Sequence, residues 1–210
     1  MSAGLSPPPG WERRAIDVAG RAILIDAPAD PDALVRQGQS AAEPSPGYWA
    51  NLWPSAVRLS EHLAASTILA PGTRVLELGC GLGLAGIVAA TRGAVVTLTD
   101  FNPRAVEAAA HNARLNDVRV TAHVFDWNDD PPASWAFDLV IACDIFYEPE
   151  AIAPVARLLR RLDCPALIAD PARPQSAGID QRFRDLGFSV WAAPADAGRI
   201  LMLQPRGRGA

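Results

Sequence analysis

The sequence predicts an α/β fold: a Rossmann-like, doubly wound sheet of seven mostly parallel strands, with a short N-terminal extension. Three observations lead to this prediction. From Thr73 onward, short apolar runs alternate with longer helical patterns, and a glycine-rich turn, GCGLGLAG, follows the first of these runs. A chain of 210 residues that is 50% hydrophobic can also bury one sizeable core. We therefore expect one domain over residues 47–210 and an extension over residues 1–46.

The extension and a first helix precede the sheet. The segment AIDVAGRAILIDAP contains two alternating apolar runs around Ala19-Gly20, which predicts a small β-hairpin. In NLWPSAVRLSEHLAAS, Pro54 is placed for a first helical turn, and Leu59 and Leu63 repeat at helical spacing. We expect this second segment to form a helix that leads into the sheet.

The strands of the sheet follow in order along the chain. They are predicted at Arg74–Leu78, Val95–Thr99, Arg119–Phe125, Phe137–Cys143 and Ala166–Ala169. Helices are predicted between them, with Asn102-Pro103 as the cap and first turn of one helix. After Pro174 the patterns predict a helix over Gln175–Leu186, a strand from Gly187-Phe188 and a last strand, RILMLQP. Because helical connections make successive strands parallel, we expect helices on both faces of the sheet.

Charge and cysteine content limit the possible partners and compartments. The net charge is −4 and all 19 basic residues are arginine, so no lysine-rich stripe is available for phosphates and we expect no nucleic-acid partner. Cys80, Cys143 and Cys164 lack C-x-x-C spacing, which favours reduced thiols over disulfides or a metal site. The first residues contain no apolar leader, and no apolar run approaches the ~20 residues that span a bilayer. We therefore expect a cytoplasmic monomer with no membrane contact.

The glycine-rich turn admits two registers, which predict different cofactors. GLGLAG matches the G-x-G-x-x-G of dinucleotide-binding turns, whereas Gly79, Gly81 and Gly83 follow Glu77 as E-x-G-x-G-x-G. A carboxylate at Glu77 would repel a pyrophosphate but attract the cationic groups of S-adenosylmethionine. Asp100, at the end of the next strand, suits ribose hydroxyls in either register.

A third strand end extends this pattern. In the segment FDW, Asp126 could accept from an adenine amino group and Trp127 could cover the ring. Three successive strand ends therefore offer an acid to three parts of one ligand, which favours S-adenosylmethionine over a dinucleotide. The nearby Asp130-Pro131-Pro132 is similar to the D-P-P signature of amino-methylating enzymes, but it precedes the fourth strand and lacks the aromatic residue. We interpret it as a turn.

Five segments carry a resemblance to a known family: YWANLWP, LELGCGLGLAGI, TDFNP, FDW and CDIFYE. From Gly47 to its C-terminus the chain resembles the class I, seven-β-strand S-adenosylmethionine-dependent methyltransferases. Among these it is most similar to the family 16 protein lysine methyltransferases, which include the electron-transfer-flavoprotein β-subunit lysine methyltransferase. Asp144 to Tyr147 matches the D-x-x-Y form that closes the fourth strand in this family, and ADPARPQ is similar to the flavoprotein-directed members.

The motifs and the resemblance together predict the site residues. S-adenosylmethionine is expected to bind against Trp53, Glu77, Gly79, Gly81, Gly83, Asp100, Phe101, Asn102, Asp126, Trp127 and Cys143. Asp144 and Tyr147 are expected to be catalytic. The carboxylate would hold an incoming ammonium and orient the amine once its proton has left, and the tyrosine ring would offer a π face to the cationic centres.

Three functions remain open on the sequence alone. The first is methylation of a lysine side chain in a protein substrate. The second is methylation of a small amine or heterocyclic nitrogen, as by a nicotinamide N-methyltransferase, since the same fold and cofactor site would serve it. The third is a cofactor-binding module without turnover, which is disfavoured because the D-x-x-Y residues have no evident role in holding a cofactor alone.

Overall fold

The computed structural model describes residues 6–38, 47–195 and 198–207. The strands are β1 (Trp11–Val18), β2 (Arg21–Pro28), β3 (Arg74–Leu78), β4 (Val95–Asp100), β5 (Val120–Val124), β6 (Leu139–Cys143), β7 (Ala166–Asp170), β8 (Phe188–Ala195) and β9 (Gly198–Pro205). The helices are α1 (Pro31–Gly38), α2 (Pro54–Ala65), α3 (Leu84–Thr91), α4 (Pro103–Leu115), α5 (Ile152–Leu162) and α6 (Ile179–Asp185). Short 3-10 turns lie at Tyr48–Ala50, Pro149–Ala151 and Pro174–Ser176.

Strands β3 to β9 form one seven-stranded sheet in the spatial order β5-β4-β3-β6-β7-β9-β8. All pairs among β3 to β7 are parallel, whereas β9 is antiparallel to both β7 and β8. This confirms the predicted Rossmann-like, mostly parallel sheet. Strands β1 and β2 pair separately as an antiparallel hairpin that turns at Ala19 and Gly20, as predicted.

Two connections differ from the prediction. No helix joins β5 to β6; residues 125–138 form turns and irregular backbone instead, because the segment is rich in turn-forming residues and two prolines remove backbone donors. The turn predicted at Asp130-Pro131-Pro132 lies within this connection. The helix predicted over Gln175–Leu186 is shorter, since Gly178 adopts a left-handed φ of 69° and α6 begins only after it.

Apolar side chains cover both faces of the sheet. On one face α2, α3, α4 and the hairpin pack against residues that include Val75 and Val96. On the other face α5 and α6 pack against residues that include Leu76 and Val140. Neighbouring residues of β3 therefore point to opposite layers, as strand geometry requires. Because helices cover both faces of the sheet, the ends of the strands are where polar groups can contact a ligand.

The hairpin is joined to the main core through the side chain of Asn112 in α4. This fully buried amide accepts from the Asp26 N–H at 2.9 Å and donates to the carbonyls of Asp26 at 3.2 Å and Leu82 at 3.1 Å. The buried Asp26 carboxylate in turn binds Arg13 at 2.7 and 2.8 Å and His111 at 2.8 Å. The hairpin thus belongs to the same packed unit as the sheet, and Asn112 links it to the turn after β3.

The three cysteines are free thiols, as predicted. Burial raises the pKa of Cys80 and Cys143 well above the ordinary value and that of Cys164 to about 12. All three are therefore protonated near neutral pH and weak nucleophiles. In the part of the chain that the structure describes, no helix combines the length and apolar character needed to cross a bilayer.

Replacing Asn112 by alanine should lower the free energy of unfolding by about 3 kcal/mol or more. The change leaves the N–H of Asp26 and two buried carbonyls without partners, and each such group costs roughly 1–3 kcal/mol. Chemical denaturation of the purified protein measures this loss. Glu107→Gln, an exposed change on the same helix, is the matched control and should stay within about 0.5 kcal/mol of wild type. A loss below about 1 kcal/mol for Asn112→Ala would contradict the prediction.

Candidate active site

The carboxyl ends of β3, β4 and β6 and the loop after β7 meet at one edge of the sheet and border a cavity. Its volume is about 480 Å³, which lies within the usual range of small-molecule sites. The opposite wall comes from the segment that contains the first 3-10 turn and the start of α2. Polar groups from the strand ends and aromatic side chains from this segment therefore face one space.

The turn after β3 brings backbone close to both walls. The three glycines of the E-x-G-x-G-x-G register line the cavity with positive φ: Gly79, Gly81 and Gly83. A Cβ on Gly81 would lie 3.0 Å from the carbonyl oxygen of Trp49, so a side chain there would press on the opposite wall. Gly86, the last glycine of the other register, faces the sheet, where a Cβ would overlap Leu98 and the Glu77 carboxyl. The first register is therefore explained by the left-handed backbone that lines the cavity. Gly86 of the second register is explained by the close packing of α3 on the sheet.

Glu77 lies at the junction of the sheet and the cavity. It is buried, lines the cavity, and its Oε2 accepts a hydrogen bond from the Gly86 N–H at 3.0 Å. Burial raises the pKa of Glu77 to about 8; the Gly86 N–H lowers it and the negative charge of Asp100 adds to the rise. The carboxyl is therefore mostly protonated at neutral pH, and a cationic ligand in the cavity would favour its ionised form.

Asp100 fixes two backbone segments while it lines the cavity. Its Oδ2 accepts from the Gly81 N–H at 3.1 Å, and its Oδ1 accepts from the Asn102 N–H at 2.9 Å. Burial raises the pKa of Asp100, and these N–H groups oppose the rise. Asn102 caps α4, since its side chain accepts from the Arg104 N–H at 2.9 Å. Carboxylate oxygens have further lone pairs, so Asp100 can still accept from ligand hydroxyls.

The remaining predicted cofactor residues divide into two groups. Phe101, Trp127 and Cys143 line the cavity together with Trp53. Asp126 is not among the residues that line it, and its Oδ1 accepts from the backbone N–H and the side-chain amide of Asn128, both at 2.8 Å. Its expected contact with an adenine amino group stays a prediction.

Asp144, from the end of β6, is paired with an arginine. The carboxylate is 8% exposed and receives two hydrogen bonds from the Arg173 guanidinium, at 2.5 and 2.8 Å. Burial raises the pKa of Asp144, and the charge and hydrogen bonds of Arg173 oppose that rise. The backbone of Asp144 is in the left-handed region with a φ of 57°, which aspartate and asparagine tolerate better than most residues. Asp144, the carboxylate expected to bind an ammonium, is thus already paired with the guanidinium of Arg173.

One aromatic ring contacts this ion pair, and two further rings follow it through edge-on contacts. The guanidinium carbon of Arg173 lies 5.4 Å from the ring centroid of Trp53, within cation–π range. The Tyr48 ring lies 6.4 Å from Trp53 and 6.0 Å from Tyr147, both in edge-on geometry. Burial and nearby acids, Glu148 first, raise the pKa of Tyr147, so its phenol is neutral at physiological pH.

Two residues of this cluster were not predicted as site residues. Arg173 comes from the loop after β7, and Tyr48 opens the segment YWANLWP. The available signal for Arg173 was its place just beyond the end of β7, the strand next to β6. Strand ends at such an edge are the usual location of ligand contacts in doubly wound sheets.

Comparison with known proteins gives a consistent family. The chain matches the family model described as lysine methyltransferase over residues 40–171. It is 35% identical over 133 residues to the electron transfer flavoprotein beta subunit lysine methyltransferase of Xenopus laevis, a match that covers 61% of this chain and 54% of that protein. It is 36% identical over 123 residues to the protein N-lysine methyltransferase METTL21A of Danio rerio, covering 55% and 56% of the two chains. The chain thus spans about half the length of the curated relatives it matches.

A solved structure extends the comparison to the whole fold. The 16S rRNA N2 G1207 methyltransferase RsmC of T. thermophilus, in complex with AdoMet and guanosine, superposes with a TM-score of 0.70. The match covers 95% of this chain and 52% of that chain at 17% identity. At this level of identity the similarity concerns the fold alone.

Replacing Glu77 by glutamine should flatten the pH dependence of stability of the ligand-free protein. Between the unfolded pKa of about 4.5 and the folded pKa of about 8, the folded protein keeps this proton and the unfolded chain releases it. The free energy of unfolding therefore falls as pH rises through this window, by up to about 1.4 kcal/mol per pH unit from this group.

The measurement is urea denaturation of wild type and Glu77→Gln at half-unit steps from pH 5 to pH 8. The difference between the two curves isolates Glu77, because all other titrating groups are shared. Parallel curves would show that Glu77 ionises at an ordinary pKa.

Proposed function

The chain belongs to the lysine methyltransferase family, and on that premise we propose that it binds S-adenosylmethionine in the cavity and methylates a lysine side chain of a protein substrate. The observation that carries the proposal is the charge of the cavity wall. Among the described residues, the carboxyl groups of Glu77, Asp100, Asp144 and Glu148 line it, against the guanidinium of Arg173. This excess of acid opposes a pyrophosphate and suits a ligand that carries a sulfonium and an ammonium.

The residues assigned to the cofactor fit its chemistry. The glycine turn presents backbone to the cavity, Asp100 can accept from ribose hydroxyls, and Phe101 and Trp127 offer apolar surface to an adenine ring. Glu77, which burial keeps mostly protonated in the ligand-free protein, would supply a negative charge once the cationic methionyl part favours its ionised form. When bound, S-adenosylmethionine supplies an electrophilic methyl group on its sulfonium.

Asp144 and Tyr147 are assigned to the acceptor. A lysine ammonium has a reference pKa of about 10.4, so loss of its proton near neutral pH costs roughly 4–5 kcal/mol. The buried Asp144 carboxylate would attract the ammonium and, once that group has lost its proton to solvent, would orient the amine for transfer. The neutral ring of Tyr147 offers a π face to the positive charge that forms on the product nitrogen.

A protein acceptor is favoured by the relatives. The proteins reported above are named for the methylation of lysine in proteins, one of them in the electron transfer flavoprotein beta subunit. The three free thiols suit a reducing compartment, so we further propose that the enzyme acts in the cytoplasm.

The direct test is transfer of radiolabel from S-adenosylmethionine in a lysate of the source organism. We expect a labelled protein band whose acid hydrolysate contains methylated lysine. A labelled small molecule with no labelled protein would instead favour a small amine or a heterocyclic acceptor. Calorimetry is the companion measurement, because S-adenosylhomocysteine should bind in the micromolar range; tighter binding of NAD would contradict the cofactor assignment.

Replacing Asp144 by asparagine should separate binding from turnover. Asparagine keeps the shape and tolerates the left-handed backbone, but it removes the charge that attracts an ammonium. We expect turnover to fall about 100-fold, equivalent to roughly 3 kcal/mol of transition-state stabilisation. Affinity for S-adenosylhomocysteine should stay within a few-fold of wild type.

Glu150→Gln is the matched control, since this exposed carboxylate lies outside the cavity lining. It should leave turnover and binding unchanged. If Asp144→Asn turns over at the wild-type rate, or if its main defect is weaker cofactor binding, then Asp144 does not bind the acceptor.

A further inference from the structure

The Arg173 guanidinium occupies a position built for a cation. Two walls of that position come from other elements: the Asp144 carboxylate from the end of β6 and the face of Trp53 from the residue that caps α2. We use the term cation subsite for the space between these two groups. Arg173 reaches it from a third element, the loop after β7.

The protein without substrate needs a cation here. Asp144 is 8% exposed, and a buried carboxylate without a partner is strongly unfavourable. Its other charged neighbours are Asp170, which adds to the rise of its pKa, and Arg58, which opposes it. Only Arg173, however, forms an ion pair with Asp144 among the described residues.

Among the residues that the structure describes, the Arg173 side chain is held in place only at this subsite. Within the described part of the chain, its guanidinium donates hydrogen bonds to Asp144 and to no other group. The side chain is 34% exposed, so solvent already reaches it. An arginine that swings away from Asp144 also leaves the Trp53 face, but it gives up no hydrogen bond outside the subsite and regains water on its charged end.

The Arg173 guanidinium takes both oxygens of the Asp144 carboxylate, so a second cation in the subsite would be repelled by it at close range. An acceptor ammonium that approaches Asp144 meets Arg173 already there. We infer that Arg173 is an internal occupant of the cation subsite, which the acceptor ammonium displaces when substrate binds and which Arg173 refills after the product leaves. This inference rests on the proposed function only in identifying the displacing cation as that of the acceptor.

The exchange makes Arg173 a specificity-determining residue. One monovalent cation replaces another, so the charge on the buried carboxylate is compensated before and after substrate binding. A neutral acceptor cannot compensate Asp144 and therefore cannot displace the guanidinium. The subsite thus favours acceptors that arrive as cations over uncharged molecules of the same shape.

The test measures binding of n-butylammonium, an analogue of the end of a lysine side chain, to the full chain by ligand-observed NMR at constant ionic strength. Arg173→Gln removes the competing charge, so we expect it to bind n-butylammonium at least tenfold more tightly than wild type. Affinity for n-butanol, the neutral analogue, should change less than twofold. The double variant Arg173→Gln with Asp144→Asn should lose the gain.

Arg161→Gln is the matched control, because Arg161 pairs with the exposed Asp130 away from the cavity. It should bind n-butylammonium as wild type does. If Arg173→Gln does not fold, Arg173→Lys serves instead: its single ammonium lacks the two-pronged grip on Asp144, so n-butylammonium should bind at least threefold more tightly than to wild type. Equal or weaker binding of n-butylammonium by the folded variant would overturn the inference and make Arg173 a fixed partner of Asp144.

The outcome is distinguishable from that of the proposed function. Binding is measured with and without S-adenosylhomocysteine, and no step of methyl transfer is needed. Tighter n-butylammonium binding without any labelled protein would retain the exchange and reject the lysine substrate. Labelled protein together with unchanged n-butylammonium binding by Arg173→Gln would support the lysine methyltransferase activity and reject the exchange at the cation subsite.

Discussion

The close approach of α3 to the sheet at Gly86 is the constraint on which the site depends. The backbone N–H of Gly86 reaches the Glu77 carboxyl because glycine leaves the space that a Cβ would take. The turn between β3 and α3 is also held by the Asp100 carboxylate, which accepts a hydrogen bond from the Gly81 N–H. The part of the cavity lining formed by Glu77 and Gly81 therefore depends on these contacts of the turn and of α3.

Three buried acids line the cavity, and each is compensated in a different way. Glu77 accepts one backbone N–H and retains a proton, and Asp100 accepts backbone N–H groups from two turns. Asp144 is compensated by the side chain of Arg173. Backbone donors cannot leave without unfolding the turn that carries them, whereas a side chain can rotate. The half of the cavity assigned to the cofactor is therefore permanently organised, and the half assigned to the acceptor can exchange its partner.

Features with a local signal could be predicted from the sequence, and features set by distant parts of the chain could not. The hairpin at Ala19-Gly20 and the strands of the sheet follow from alternation of apolar residues and from turn residues within a few positions. The ion pair between Asp144 and Arg173 joins residues from two loops with α5 and β7 between them, and no local pattern marks it. The alternation of strands and helices predicts a helix within residues 125–138, but the turn residues of this segment favour the irregular backbone that the structure has. In that stretch Asp126 bonds its own neighbour Asn128, a local competition that pattern reading alone does not resolve.

The side chain of Asn112 has a consequence for building hybrid proteins. Because one amide bonds both the second strand of the hairpin and the carbonyl of Leu82, the hairpin, α4 and the glycine turn form a single transferable module. A chimera that takes its first strands from one family member and its glycine turn from another would carry mismatched partners at that amide. A chimera should therefore be joined after α4 and not between the hairpin and the sheet, so that Asn112 keeps its own partners.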